Sequence, residues 1–190
     1  MKHHYHSALK KEVEGLPSLA FHTSNGNMVF QHDISKGVPL DYDQCDVIYT
    51  EPAWRDGYEL FLDRAGAENT SYLEYVVRMA DFIGHTRTPI YMIVGKHVIK
   101  EFPKPVNIAP IKLHGYTTNL CVWNDKQQVN GITNYDVIKQ LSGIYDIVGD
   151  FNAGYGNTAK IFQDAGKKFI CSDINGKCVY YIAKNLMGYE

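Results

Sequence analysis

The chain has 190 residues, 45% of them apolar and 21% charged, with a formal net charge of −2. That balance belongs to a folded globular protein and excludes disorder, and it weighs against a chain that holds duplex nucleic acid by bulk charge alone. No apolar run reaches the ~20 residues that span a bilayer, so no membrane is expected, and the polar start lacks the apolar core of a secretory signal.

In chain order, residues 1–24 read as a flexible or appended polar segment ahead of one domain over 1–190. The histidines there, His3, His4, His6 and His22, could bind a metal, but they read first as part of that polar start, and no metal site is assigned. Asn25-Gly26-Asn27 is a turn signal. A strand over 28–33 closes on Asp33. After a loop over 35–44, a buried strand over 45–50 runs into Glu51-Pro52-Ala53-Trp54. Residues 72–84 have helical period, with Leu73, Val76, Val77, Ala80 and Ile83 on one side. A strand over 89–95 follows. Residues 96–110 are irregular, since Pro103, Pro105 and Pro110 interrupt regular structure. Lys96, His97, Lys100 and Lys104, with Lys112 and His114 beyond, form the one basic concentration, suited to phosphates or simply to solvent. Two strands over 111–116 and 119–124 read as a hairpin turning near Thr117-Thr118, and a short helix over 135–141 leads to a strand over 145–149. The cysteines Cys45, Cys121, Cys171 and Cys178 stand mostly in apolar runs without zinc spacing. They read as buried reduced thiols of a cytoplasmic protein.

The most informative stretch is Asp150-Phe151-Asn152-Ala153-Gly154-Tyr155-Gly156-Asn157-Thr158. It reads as a strand end, a glycine turn and a helix start, with Asn157 and Thr158 as N-cap candidates. Glycines there leave room for a ligand, and free N–H groups at a helix start favour an anionic or polar group. Gly166 closes the helix, and the next strand, over 167–173, ends on Asp173. A carboxylate placed there, about twenty residues after the first strand end, suits ribose hydroxyls. A last helix covers 176–186.

These segments resemble the S-adenosylmethionine-dependent DNA amino-methyltransferases. That family usually reads Asp-Pro-Phe-x-Gly-x-Gly-Thr-Thr at the first strand end, and Asp/Asn-Pro-Pro followed by an aromatic residue at the catalytic one. Here Phe151 and Asn152 replace Pro-Phe, Asn157 replaces the first Thr, Glu51 replaces Asp, and Ala53 replaces the second proline. The catalytic half precedes the cofactor half, an order common among adenine-N6 and cytosine-N4 enzymes. The resemblance implies an α/β fold: a Rossmann-like, seven-stranded methyltransferase sheet, circularly permuted, with a β-hairpin at one edge; the expected strands use up the chain, so no separate target-recognition domain is expected.

It also implies S-adenosyl-L-methionine as cofactor, held by Asp33, Asp150, Ala153, Gly154, Gly156, Asn157 and Asp173. The substrate implied is nucleic acid, DNA ahead of RNA, with methyl transfer to an exocyclic amine and adenine N6 first. Such an amine has its lone pair delocalised into the ring. Acceptors must hold it, and here those would be the Glu51 side chain and the Pro52 carbonyl, with Trp54 stacking on a flipped base. Lys96, His97 and Lys100 would meet phosphates. Glu51 is one methylene longer than Asp, and the inactive subunit of the paired mRNA adenine methyltransferase also carries Glu at this place. An active enzyme, an enzyme for a protein or small-molecule amine, and a silent binding subunit therefore all stay open, as does a homo- or heterodimer.

Overall fold

A computed structural model describes residues 19–67, 71–113, 115–127, 129 and 131–189. His3, His4, His6 and His114 lie outside them. The strands are β1 (Ala20–His22), β2 (Met28–Gln31), β3 (Val47–Thr50), β4 (Ile90–Val94), β5 (Asn107–Leu113), β6 (Tyr116–Trp123), β7 (Ile147–Asp150) and β8 (Lys168–Asp173). The helices are α1 (Asp56–Ala65), α2 (Tyr72–His85), α3 (Asn134–Ile144), α4 (Asn157–Asp164) and α5 (Gly176–Leu186). All eight strands join one open sheet in the order β1-β2-β8-β7-β3-β4-β6-β5. The five strands from β2 to β4 run parallel, and β1 and the β5–β6 hairpin lie antiparallel at the two edges.

Helices cover both faces, which is why every residue of β3 and β4 is buried and all but Thr50, at the end of β3, are apolar or aromatic. On one face Val47, Tyr49 and Tyr91 share a core with Val137, Ile138 and Leu141 of α3, Phe162 of α4 and Val179 and Ile182 of α5. On the other, Ile48, Ile90 and Met92 pack against Tyr58 and Leu62 of α1 and Tyr75, Val76, Met79 and Ile83 of α2. From β7 the chain crosses by α4 to β8; from β3 it crosses by α1 and α2 to β4 on the opposite side. The strand order therefore reverses between β7 and β3, the place where open α/β sheets bind ligands at their carboxyl ends.

Several sequence expectations need correction. The sheet has eight strands, because Ala20–His22, expected in the appended start, pairs with β2. Helix α1 was not anticipated. Its inward residues Tyr58 and Leu62 share the helix with exposed Leu60 and Phe61, which blurs the period. On α2, Leu73 and Val77 face solvent, and Tyr75 and Met79 take the inward places. The hairpin pairs Leu113 with Tyr116 and reverses through Gly115 at φ 87°, ahead of Thr117-Thr118. Its first strand starts at Asn107 and includes Pro110, which is tolerated because β5 is an edge strand. Gly156, rather than Asn157 or Thr158, is the N-cap of α4. All four cysteines are free and buried, and no helix among the described residues is long and apolar enough to cross a membrane.

Candidate active site

The parallel strands bring their carboxyl ends to one edge, so Asp33, Asp173, the 150–156 loop, Glu51–Trp54 and the 95–101 loop follow one another along it. Glu51 and the glycine loop, far apart in sequence, are neighbours because β3 pairs with β7. Asn152 joins them: its Nδ2 donates to Thr50 Oγ1 at 3.2 Å, and its Oδ1 accepts from the Tyr75 hydroxyl at 3.1 Å. A residue of α2 thus braces the crevice from the second face.

Glu51 Oε1 accepts two hydrogen bonds, from the Tyr49 hydroxyl at 2.9 Å and from Asn134 Nδ2 at 2.8 Å. Tyr49 is fully buried, and burial, then the charge of Glu51, pushes its hydroxyl well above the usual range, so it stays a donor. Pro52 is buried and Trp54 half-buried. The Trp54 indole N–H donates to the Ile93 carbonyl at 3.0 Å and its ring meets Phe102 edge-on, with centroids 5.8 Å apart. That contact anchors the tetrapeptide to β4 and the basic loop. Lys96, His97 and Lys100 are exposed on that loop, and Lys100 makes a 3.7 Å surface pair with Glu101.

In the glycine loop, the Ala153 N–H donates to Ser172 O and the Gly154 N–H to Asp173 Oδ2 at 2.8 Å. Asp173 Oδ1 accepts the Asn175 N–H at 2.8 Å. Burial raises the Asp173 carboxyl while these two N–H groups pull it down, and the net shift is upward. Gly154 has φ 51° with nothing within 4 Å of where a Cβ would stand, so the turn keeps open space above it. Gly156 differs: at φ 78° its Cβ would stand 2.7 Å from Ile182 Cγ1. Gly156→Ala is expected to cost about 1–3 kcal/mol from crowding alone and to lower the melting temperature, which calorimetry checks.

Asp150 turns inward. It is 3% exposed and accepts the Asn152 N–H at 3.1 Å, with Thr158 and Thr50 as further partners. Burial pushes its carboxyl up to about 7; Thr158, the Asn152 N–H and Thr50 oppose the rise, and the charge of Glu51 adds to it. An unfolded aspartate titrates near ~3.9. Between about pH 4 and 7 the folded protein therefore keeps a proton that the unfolded chain has lost, and stability falls as pH rises through that window. Asp150→Asn is expected to flatten this fall, so that the melting temperature drops less between acid and neutral pH than in the parent protein; melts across the window check it.

Asp33 caps the 3-10 turn Ile34–Lys36, its Oδ1 accepting both the N–H and the hydroxyl of Ser35. Asn157 is exposed in the first turn of α4. Sequence reasoning missed Asn134, Tyr49, Tyr75 and Asn152 as members of this site. The Thr133-x-x-Asp136 capping box fixes Asn134 at the start of α3, but nothing local ties that position to Glu51. A groove of about 780 Å³ between α3 and α4 opens beside the site at Asn134 and Asn157. No group of three or more potential metal-ligating side chains occurs among the described residues.

No protein-family profile matches the sequence, and comparison with curated proteins gives no match. Solved structures do match in shape. The crystal structure of M1.HpyAVI superposes with a TM-score of 0.53 at 14% identity, covering 85% of this chain and 98% of that one. The M1.HpyAVI–SAM complex gives 0.53 at 15% identity, covering 83% and 98%. The chain shares that fold.

Proposed function

We propose that this protein is an S-adenosylmethionine-dependent methyltransferase acting on an exocyclic amine of a DNA base, adenine N6 ahead of cytosine N4. The observation that carries the reading is the Asn152–Thr50 bond across the β3–β7 crevice, which sets an acceptor carboxylate beside a glycine turn. The shared fold of M1.HpyAVI and its SAM complex supports it.

The residues present fit the cofactor. Asp173 stands at the end of β8 with each oxygen used once by a backbone N–H, which leaves acceptor capacity for two ribose hydroxyls. Gly154 opens the turn, and Gly156 leaves the first N–H groups of α4 without a side-chain cap. Ala153 and Asn157 flank the same turn, Asp150 holds it from behind, and Asp33 lies at the end of the neighbouring strand. When bound, the cofactor supplies a sulfonium methyl already activated for transfer.

The chain's own part is to position the amine. Glu51 Oε2 accepts one N–H and the Pro52 carbonyl the other, which localises the nitrogen lone pair for in-line attack. Trp54, half-buried beside the acceptor, is the stacking platform for the base, and Lys96, His97 and Lys100 meet the backbone phosphates. The amine proton released on transfer passes to Glu51 or to water.

The test is transfer of tritiated methyl from the cofactor to DNA, RNA and protein acceptors, with nucleoside analysis. Label in N6-methyladenine of DNA is the expected result. Cofactor binding by calorimetry with no labelled acceptor would instead identify a silent binding subunit.

A further inference from the structure

We propose that Asn134, acting together with Tyr49, is a positioning residue that holds the Glu51 carboxylate in one orientation, leaving Oε2 as its single outward acceptor. The inference rests on the role given to Glu51 above and deepens it.

Glutamate has one more rotatable bond than aspartate, so a Glu at this place needs restraint to present an oxygen reproducibly. Two donors from different parts of the fold supply it. Tyr49 reaches from within β3, two residues before Glu51. Asn134 reaches from the start of α3, 83 residues away in sequence. Both bonds end on Oε1, and a carboxylate oxygen has two lone-pair sites, so Oε1 is saturated. Oε2 accepts no hydrogen bond among the described residues.

Asn134 is itself fixed. Thr133 and Asp136 close the capping box: Asp136 Oδ2 accepts the Thr133 N–H at 3.0 Å and its hydroxyl at 2.8 Å. Asn134 Oδ1 accepts the Tyr135 N–H at 2.9 Å, so its oxygen faces its own helix and its NH₂ group faces Glu51. The arrangement also ties the helix that precedes the glycine loop to the acceptor on the neighbouring strand. It thereby couples the placement of the cofactor half to that of the catalytic half.

Two measurements test this on the 190-residue chain. The first needs no activity: in ¹⁵N-resolved NMR spectra, the Asn134 side-chain NH₂ signals are expected to move on Glu51→Ala and to stay in place on Lys96→Ala. Unmoved signals on Glu51→Ala would overturn the proposal. The second is kinetic. Asn134→Ala is expected to lower kcat about 10- to 100-fold while KM for DNA and the cofactor Kd change less than about threefold. Asn134→Ala retains the Thr133–Asp136 box. Should it not fold, Tyr49→Phe removes the other donor and gives the same readout. An active parent protein whose variants keep full kcat sinks the positioning role alone. A parent protein that transfers no methyl to any acceptor sinks the function proposed above, and the positioning role with it.

Discussion

Asp173→Ala is expected to weaken S-adenosylmethionine binding at least about a hundredfold, measured by isothermal titration. Two losses combine. The ribose hydroxyls lose the acceptor proposed for them, and the glycine turn loses its tether, because Asp173 Oδ2 holds the Gly154 N–H and Oδ1 holds the Asn175 N–H. Hydrogen bonds to a charged group contribute roughly 1.5–3 kcal/mol each, so losing the tether alone is felt in both affinity and stability. Asp173→Asn separates the two effects. It keeps the side-chain shape, but its NH₂ group must face one of the two backbone donors, so the turn is strained while the other bond survives. Its affinity should fall between those of the parent protein and the alanine variant. Unchanged cofactor affinity in Asp173→Ala would remove this residue from the cofactor site, and with it the reason for placing the ribose at β8.

What the sequence disclosed was the part of the fold written in short-range pattern. Strands β3 and β4 are almost wholly apolar because both faces are covered, and β8 ends on Asp173, so their existence and ends were legible. What it hid depended on partners distant in the chain. Strand β1 is three residues long and is a strand only because β2 lies beside it. Pro110 argues against a strand until β5 proves to be an edge. Leu73 and Val77 fit the helical period as well as Tyr75 and Met79 do, and only the packing of α2 on the sheet decides which pair turns inward.

The candidate site divides in the same way. Asp173 and the two loop glycines announce themselves by spacing. Asp150 does too, yet its carboxylate turned out to face the interior, where Thr158 and the Asn152 N–H occupy it. Asn134 and Asn152 are ordinary polar residues in sequence, and they become site residues only through bonds that span 83 and 102 positions.

Glu51→Ala is expected to lower the rate of methyl transfer roughly 10²- to 10³-fold, the usual effect of deleting one preorganised polar group that stabilises a transition state. Cofactor affinity should stay within about twofold, since the role proposed for Glu51 is to hold the amine and not the donor. The variant carries a structural cost as well. The Tyr49 hydroxyl, in a fully buried residue, loses its acceptor, which costs about 1–3 kcal/mol. One negative charge beside Asp150 also disappears, so the Asp150 carboxyl moves down from about 7. Glu51→Gln separates chemistry from stability. Its carbonyl can still accept from Tyr49 and Asn134, so it should melt close to the parent protein, but its outward group becomes an NH₂ donor facing the amine N–H and transfer is lost.

Glu51→Asp is the sharper comparison. Asp is the usual acid of the family this chain resembles, yet Tyr49 and Asn134 converge on the end of a longer side chain, at 2.9 and 2.8 Å. Shortened by one methylene, the carboxylate cannot keep both donors, so restoring the family's acid is expected to reduce transfer. A Glu51→Asp variant faster than the parent protein would show that the two donors do not set the acceptor's position.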